Sequence, residues 1–374
     1  MRILYVADRW DPKDHNQASG TDYEIYHAFL REGAEVDVIG PFENHFSLFE
    51  RFLKGIHNRL YDTRLFKYPF SYFVNSTKVV NRAIEDSEHD LVVSKYSAPL
   101  VFAKLQKPLL YFCDSTVKWL EKQWRSYARL TFFTMSLWET KVITKSDHII
   151  TFSKSNADFL QDHYQVPKAQ VDFMPIPASI PYEMVPREIE KDKNLKPVKL
   201  LLVGRDYERK GVDIAENISK GLNRQGVETK LRIVGLEGKD SENVRFMGLF
   251  NKTIPQELNA YLDQYRWAHF LIHPARFEAA GIVPAEAAAF GVPTITNNTG
   301  GLATTVENGV SGIILPKSSP AKRYVSTVRE YIKEPSAYWR LVKSTKDRYE
   351  QDLHWHSAGK TIFRIAQDIV GKFS

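Results

Sequence analysis

Cysteine is almost absent from this chain of 374 residues, which contains only Cys113. It can therefore form no intramolecular disulfide and no zinc site built from several cysteines, and a reducing, cytoplasmic location is expected. Long apolar runs are also missing. The run at residues 3–7 stops at Asp8, short of a signal-peptide core, and no window approaches the ~18 residues of a membrane span. We expect a protein that is soluble or peripheral to a membrane.

Two kinds of ligand signal are absent as well. No two aspartates are separated by a single residue, so the Asp-X-Asp arrangement that holds the divalent ion of a nucleotide sugar is missing, and we expect no metal and no other cofactor. The 51 Lys and Arg residues exceed the 45 Asp and Glu residues by only six. That surplus is too diffuse to indicate nucleic acid as a partner, but it favours anionic ligands or membrane surfaces.

What the chain does contain is a regular alternation of short apolar runs and helical patterns. This alternation is typical of parallel strands joined by crossover helices, with both faces of each sheet covered. At roughly 150 residues per domain, the length predicts two α/β domains, with a ligand at the carboxyl ends of the strands between them. The predicted strands lie at residues 2–7, 36–40, 91–96, 108–113 and 148–153, and at residues 199–204, 231–235, 268–273 and 293–296.

A change of composition marks the boundary between the two halves. Prolines punctuate a charged stretch at residues 175–197 that has few apolar residues, as is common in linkers. We predict a first domain at residues 1–180, a linker at 181–197 and a second domain at 198–354. The tail is predicted to be helical, and its last helix, at about 355–374, is expected to pack back on the first domain.

The most informative segment is PARFEAAGIVPAEAAAFG (274–291), in which a loop with Gly281 leads from a strand into an Ala-rich helix. We predict that this helix starts near Pro284, with Glu286 in its first turn. The free N–H groups and positive dipole end of such a helix suit a phosphate or pyrophosphate. Glu278 and Glu286 can border the same cleft; alternatively, Glu278 is a solvated loop charge and Glu286 an ordinary acid that complements the dipole.

A second candidate segment is VGRDYERKGV (203–212), where Arg205, Arg209 and Lys210 stand between a strand and a helix. Cations fixed at such a place can neutralise a leaving diphosphate. The alternative is an exposed charged turn.

The loop after the first strand, at residues 8–23, is long for a connection of this kind, and such loops are more often functional. Gly20 would allow the backbone to approach a ligand closely. Alternatively, its neighbours Ser19 and Thr21 simply cap the next helix.

Together these segments resemble a known family. GRDYERKG (204–211), the two glutamates of FEAAGIVPAE (277–286), TGG (299–301) and SDHIITFS (146–153) are similar to motifs of the retaining glycosyltransferases of family 4. The resemblance extends from residue 2 to residue 316. It implies the α/β GT-B fold, in which two Rossmann-like domains face a central interdomain cleft, and it says almost nothing about the acceptor.

The resemblance also implies roles for single positions. Glu286 would hold the ribose hydroxyls and Glu278 a hydroxyl of the donor sugar. Arg205 and Lys210 would contact the diphosphate, and Gly20 would close over the donor from the first domain. The base would lie near Gly248, and the sugar and phosphate would lie against the backbone of Ala280, Gly281 and Ile282. Arg209 is a further donor-binding candidate because of its place between Arg205 and Lys210.

The chain departs from the family at YFCDST (111–116). Many members place a histidine in this region, whereas this chain has Cys113 and Asp114, so the role of the histidine is not carried over. We retain Asp114 as a candidate on the acceptor side. Thr304 likewise stands near the place of a usual glutamate.

Aromatic residues interleaved with cations occur in two stretches. Such faces suit an anionic bilayer or a lipid-diphosphate acceptor; alternatively, the aromatics are core and the cations form a solvated face. Residues 41–73 carry Arg51, Lys54, Arg59, Arg64 and Lys67. Residues 117–145 are predicted to place on one helical face Lys118, Lys122, Arg125 and Arg129, with Trp119, Trp124 and Trp138 around it.

The function predicted from these features is transfer of a hexose, glucose first, from a nucleotide diphosphate sugar, UDP-glucose first, to a hydroxyl of a glycan or lipid-linked glycan. Retention at the anomeric carbon is implied by the resemblance. The expected location is cytoplasmic, with contact at the inner face of an anionic membrane. Two alternatives stay open: a sugar-nucleotide epimerase of similar fold, and a two-lobed binding protein without chemistry.

Overall fold

The computed structural model describes residues 1–15, 17–60, 65, 67–86, 88–124, 127–190, 192 and 194–373. The chain divides into two compact units. One unit comprises Met1–Met174 and Ala358–Ser374, and the other comprises Pro175–Ser357. Residues 175–197 thus cluster with the second unit, and most of the last helix clusters with the first.

A six-stranded sheet forms the centre of the first unit. Its strands follow the order β2-β1-β3-β4-β5-β6, and all neighbours are parallel. The strands are β1 (Arg2–Val6), β2 (Glu35–Ile39), β3 (Leu91–Ser94), β4 (Leu109–Phe112), β5 (His148–Thr151) and β6 (Val171–Phe173). The helices between them are α1 (Thr21–Arg31), α2 (Leu48–Leu60), α3 (Phe70–Asp86), α4 (Val117–Gln123), α5 (Arg129–Lys145) and α6 (Lys154–Tyr164).

The second unit repeats this plan with the order β12-β11-β10-β7-β8-β9, again parallel throughout. Its strands are β7 (Val198–Val203), β8 (Thr229–Val234), β9 (Val244–Phe246), β10 (Phe270–His273), β11 (Thr294–Asn297) and β12 (Gly312–Leu315). The remaining helices are α7 (Tyr207–Lys210), α8 (Val212–Arg224), α9 (Pro255–Trp267), α10 (Ile282–Ala289), α11 (Leu302–Thr305), α12 (Ala321–Lys333), α13 (Pro335–Asp352) and α14 (Trp355–Phe373).

Burial on both faces explains why the strands are continuous apolar runs. Every residue of β3, β4, β5, β10 and β11 is buried, as expected for parallel sheets covered by helices. All nine predicted strands are present, and the α/β prediction is confirmed. In each sheet the strand order reverses beside the first strand, so the loops after β1 and β3, and after β7 and β10, diverge and leave room for a ligand.

The prediction of one helical face across residues 117–145 is wrong. α4 ends at Gln123, and the backbone of Trp124 is extended, with φ −152° and ψ 91°. A new helix starts only at Arg129, and Trp119 is buried in the core. Arg125 and Arg64 lie outside the described residues. Among the helices that are described, none is both long enough and apolar enough to cross a membrane.

Candidate functional site

A short capped turn holds two of the predicted cations at the carboxyl end of β7. The Asp206 side chain accepts a hydrogen bond from the Arg209 N–H at 2.9 Å and caps α7. The carbonyl of Arg209 accepts the N–H of Arg276 at 2.8 Å, and the Arg276 guanidinium binds both carboxylate oxygens of Asp213 at 2.8 and 2.7 Å. The turn is therefore fixed against the loop that follows β10.

Glu278 lies at the centre of a group of positive and ionisable side chains. Its Oε2 accepts from the Lys210 ammonium and lies 3.5 Å from Arg209 Nη1 and 3.4 Å from His273 Nε2. Burial opposes the charged carboxylate, but Lys210, His273 and Arg209 hold the pKa of Glu278 well below its usual range. Only 14% of the side chain is exposed, so the alternative of a solvated loop charge is wrong.

His273 also contacts Glu278, which was not predicted from the sequence. The side chain is fully buried at the end of β10, and its Nδ1 has no hydrogen-bond partner among the described residues. Burial and the nearby Lys210 ammonium lower the pKa of His273, so the imidazole is neutral at pH 7. The signal available was its position at a strand end five residues before Glu278, which has meaning only once the loop conformation is known.

The loop between Glu278 and α10 follows the backbone of a second loop. A side chain at Gly300 or Gly301 would clash with the carbonyl groups of Glu278 and Ala279, and the Gly301 N–H donates to the Glu278 carbonyl at 2.9 Å. The Thr305 hydroxyl donates to the Ala280 carbonyl at 2.9 Å. The TGG segment thus shapes the turn that carries Glu278.

The helix after this loop begins earlier than predicted. Gly281 caps it in a left-handed conformation with φ 97°, and α10 starts at Ile282 rather than near Pro284. Glu286 therefore lies in the second turn, and its predicted place in the first turn is wrong. Since the dipole effect fades after the first turn, the alternative that Glu286 simply complements the dipole loses its basis.

Neutral hydroxyl groups and one lysine hold the Glu286 carboxylate, which is only 1% exposed. Oε2 accepts from the Tyr261 and Tyr265 hydroxyls at 2.5 and 2.7 Å, and Oε1 accepts from Lys252 Nζ at 2.8 Å. Both tyrosines lie on α9, four residues apart and hence on the same face. Burial and the carboxylate raise the pKa of both hydroxyls well above the usual range, so they remain hydrogen-bond donors.

Arg205 and Gly248 lie apart from these contacts. Arg205 is exposed at the end of β7, and within the described ranges no hydrogen bond or ion pair engages its guanidinium. Its positive charge lies close enough to Tyr261 to lower the pKa of the Tyr261 hydroxyl, against the larger effect of burial. Gly248 follows β9 with φ 66°, and its carbonyl accepts the Gly235 N–H at 2.7 Å.

Asp114 belongs to a charged cluster at the carboxyl ends of the strands in the first unit. Lys95, after β3, lies 3.1 Å from Asp114 Oδ2 and 3.6 Å from Asp22 Oδ2. Burial disfavours the Lys95 ammonium, but Asp114 and Asp22 outweigh burial and raise the pKa of Lys95. Asp114 Oδ1 is buried without a partner among the described residues. The sequence indicated Asp114 but not Lys95 or Asp22.

Gly20 lies next to this cluster in the chain. It caps α1 with φ 78°, in the left-handed region, and Asp22 follows in the first turn. Asp22 accepts from the hydroxyls of Tyr5 at 3.1 Å and Tyr96 at 2.8 Å. Gly20 is thus the residue that turns the long loop after β1 into the helix that presents Asp22.

Two family models match the chain in succession. The model for glycosyltransferase family 4 matches residues 23–177, and the model for glycosyl transferases group 1 matches residues 186–348. Glycogen synthase of Mycobacterium tuberculosis is 29% identical over 240 residues, which cover 61% of this chain and 55% of that protein. The chain spans about half the length of the curated relatives it matches.

Solved structures agree over the entire length. Sucrose-phosphate synthase from Thermosynechococcus elongatus superposes with a TM-score of 0.72 at 17% identity, covering 99% of both chains. HepE from Anabaena in complex with UDP-glucose gives a TM-score of 0.63 at 15% identity, covering 98% of this chain and all of that one. The order of the strands, the two family models and these likenesses confirm the GT-B fold, and the chain belongs to glycosyltransferase family 4.

Proposed function

We propose that the protein transfers a hexosyl group from a nucleotide diphosphate sugar to a hydroxyl of a glycan or lipid-linked glycan, with retention at the anomeric carbon. UDP-glucose is the first donor to test, and no metal or other cofactor takes part. The observation that carries the proposal is the cationic end of the second sheet. Arg209 and Lys210 lie there beside the ionised Glu278, and Arg205 adds an exposed cation directly after β7.

The charges suit a leaving nucleoside diphosphate. Arg205, Arg209 and Lys210 provide three positive charges against two on Asp206 and Glu278, and one Lys210 proton is already directed at the Glu278 carboxylate. The free N–H groups at the start of α10 add a partial positive charge. As the bond between the anomeric carbon and the diphosphate oxygen breaks, these groups stabilise the negative charge that develops.

The acceptor oxygen takes the place of the diphosphate oxygen at the anomeric carbon, on the same face of the sugar. The proton of the acceptor hydroxyl leaves with the diphosphate. Glu278, held as an anion, accepts a hydrogen bond from a hydroxyl of the donor sugar, and Glu286 accepts from the ribose. The similarity to a glycogen synthase and to a fold solved with UDP-glucose supports this choice of donor.

Calorimetric titration with UDP, GDP, ADP and their glucose or mannose conjugates, with and without EDTA, tests the donor site. We expect UDP and UDP-glucose each to bind as tightly in EDTA as without it. Arg205→Ala should weaken the binding of both. The matched control is Arg224→Ala, which removes an exposed arginine at the end of α8. Absence of binding to all nucleotides would overturn the proposal, and loss of binding in EDTA would overturn its metal-free form.

Product analysis tests the reaction itself. Incubation with UDP-glucose and aryl glycoside acceptors should give a product whose anomeric configuration, read by NMR coupling constants, matches that of the donor. An isomerised sugar nucleotide formed from donor alone would instead identify an epimerase. Tight binding with no turnover on any acceptor would favour a binding protein. A cytoplasmic location and contact with an anionic membrane are also part of the proposal.

A further inference from the structure

Helix α2 exposes an apolar face that the described residues of its own unit do not cover. None of its residues is buried. Four apolar residues spaced four apart, and Phe49 next to the first of them, have side chains that are between 43% and 83% exposed. The four are Leu48, Phe52, Ile56 and Leu60. At about 100° per residue, they span an arc of about 120° on the helix. A contiguous exposed apolar face of this kind is typical of an interaction surface.

Two neighbouring helices extend this exposed apolar character. Phe70 and Val74 are exposed at the start of α3, and Leu130, Phe133 and Leu137 are exposed along α5. The Glu50 carboxylate of α2 accepts the Phe70 N–H at 3.3 Å, and the ring of Phe73 on α3 lies 4.2 Å from that of Trp138 on α5. These ten side chains are half of the twenty large apolar side chains that are exposed among the described residues.

Positive charge lies in and beside the apolar arc: at about 100° per residue, Arg59 falls within the arc and Arg51 about 60° outside its edge, whereas Lys54 lies on the opposite side of the helix. The cations of α2 are Arg51, Lys54 and Arg59. Its single acid, Glu50, accepts hydrogen bonds from the N–H and the hydroxyl of Ser47 at 2.7 and 2.8 Å. Lys54 Nζ lies 3.9 Å from the centre of the Phe46 ring. A symmetric contact with a second copy would bring these cations against themselves. An anionic lipid surface provides both the apolar phase and the opposite charge.

We propose that α2 lies in the plane of an anionic bilayer, with its apolar arc at the boundary of the acyl chains and Arg51 and Arg59 among the headgroups. The exposed residues of α3 and α5 contact the same surface. This inference deepens the membrane contact of the proposed function and does not depend on the identity of the donor or acceptor. It places the docking surface on the unit that also carries Asp114.

Co-sedimentation of the full chain with vesicles tests the surface. Vesicles of phosphatidylcholine alone are compared with vesicles containing about one third phosphatidylglycerol. We expect the protein to bind the anionic vesicles at least tenfold more tightly, and the preference to weaken with salt. Phe52→Ser with Ile56→Ser should weaken binding to anionic vesicles at least tenfold, and Arg51→Gln with Arg59→Gln should remove most of the preference for them.

Matched controls lie on the same unit away from α2. Phe173→Ser removes an exposed phenylalanine of β6, and Lys168→Gln removes an exposed lysine; both should bind vesicles as the unmodified protein does. Because α2 contributes no buried residue, the variants should keep their thermal unfolding midpoint.

Three results would overturn the inference. The first is equal binding to both kinds of vesicle, and the second is unaltered binding by Phe52→Ser with Ile56→Ser. The third is a dimer in light scattering that these two substitutions dissociate. The calorimetric titration with UDP distinguishes failure of this inference from failure of the proposed donor site. A protein that binds UDP but does not bind anionic vesicles contradicts only the docking surface.

Discussion

The carboxyl ends of the two sheets carry opposite charge balances. At the end of the second sheet, four cations exceed three acids: Arg205, Arg209, Lys210 and Lys252 against Asp206, Glu278 and Glu286. At the end of the first sheet, three aspartates outnumber two cations: Asp8, Asp22 and Asp114 against Arg9 and Lys95. The same parallel architecture thus presents a surplus of positive charge in one unit, which is the anion site of the proposed function, and a surplus of hydrogen-bond acceptors in the other.

The buried glutamates of the two units show how partners decide the outcome of burial. Burial alone raises the pKa of Glu139 on α5 to about 7, although it accepts the Val117 N–H at 2.7 Å and the Tyr164 hydroxyl at 3.0 Å. Glu278 is also largely removed from water, with 14% of its side chain exposed, but its cations reverse the effect of burial on its pKa. The cations beside Glu278 therefore keep that carboxylate charged, whereas burial dominates at Glu139.

The largest effect expected from the comparison concerns Arg205. Arg205→Ala removes an exposed cation from the anion site and should lower the rate of UDP release from UDP-glucose by about 100- to 1000-fold, corresponding to about 3 kcal/mol. The thermal midpoint should change little, because the side chain is exposed. Steady-state kinetics and a thermal scan of both proteins measure the two quantities.

Arg224→Ala is the control for this experiment, and near-normal turnover by Arg205→Ala would show that the donor site is wrongly placed. Lys210→Ala is a less clean probe. Lys210 is 7% exposed and pairs with Glu278, so its removal leaves a buried carboxylate without its main partner and is expected to lower stability as well.

The next effect concerns stability, and it uses Glu139→Gln. In the folded state Glu139 binds a proton up to about pH 7, whereas in the unfolded chain it loses the proton near pH 4.5. The contribution of this group to stability is therefore complete at low pH and is lost as pH rises from about 4.5 to 7. Relative to the unmodified protein, Glu139→Gln should gain about 2 kcal/mol in unfolding free energy between pH 5 and pH 8.

Urea denaturation at both pH values gives this difference. Glu85→Gln, an exposed glutamate on α3, should show no such gain. A gain of the same size in both variants would mean that general charge effects, and not the burial of Glu139, govern the pH dependence.

A smaller effect is expected at Asp114. Asp114→Asn removes the charge of the carboxylate whose Oδ1 has no partner among the described residues. If an acceptor hydroxyl donates to this oxygen, the acceptor-stimulated part of UDP release should fall about tenfold, because a hydrogen bond to a charged group becomes one to a neutral group. Release of UDP without acceptor should be unchanged.

The control for Asp114 is Asp158→Asn, since Asp158 also pairs with a lysine, Lys154, at 2.8 Å. Equal losses with and without acceptor would place Asp114 on the donor side or show a general structural defect, and would contradict an acceptor role. Such a result would also weaken the contrast between the two sheet ends.

The sequence predicted elements whose signal is local. Short apolar strands and the turn containing Arg209 and Lys210 were found because their residues are contiguous. Three strands were missed: β6 and β9 have only three residues of mixed burial, and β12 starts at a glycine and is also of mixed burial. The break at Trp124 has no glycine or proline to mark it, and the start of α10 depends on the left-handed backbone of Gly281.

Contacts between distant segments were beyond the reach of sequence patterns. The partners of Glu278 come from the end of β10 and from the turn after β7, and those of Glu286 come from α9 and the loop before it. A glutamate motif predicts that the carboxylates matter. It does not predict that one is surrounded by cations and the other mainly by hydroxyl groups.

That last distinction gives the smallest and most specific prediction. Tyr261→Phe removes one of the two hydroxyls that donate to Glu286 Oε2 and leaves Tyr265 in place. The carboxylate is then held less firmly for the ribose, and UDP affinity measured by calorimetry should fall about three- to fivefold, the value of one hydrogen bond.

Tyr338→Phe is the control, because it removes a buried hydroxyl that donates to the His269 carbonyl at 3.2 Å. It should alter stability without altering UDP affinity. If both substitutions weaken UDP binding equally, the Tyr261 hydroxyl has no special role in positioning Glu286; if Glu286→Gln has no larger effect than Tyr261→Phe, the ribose is held elsewhere.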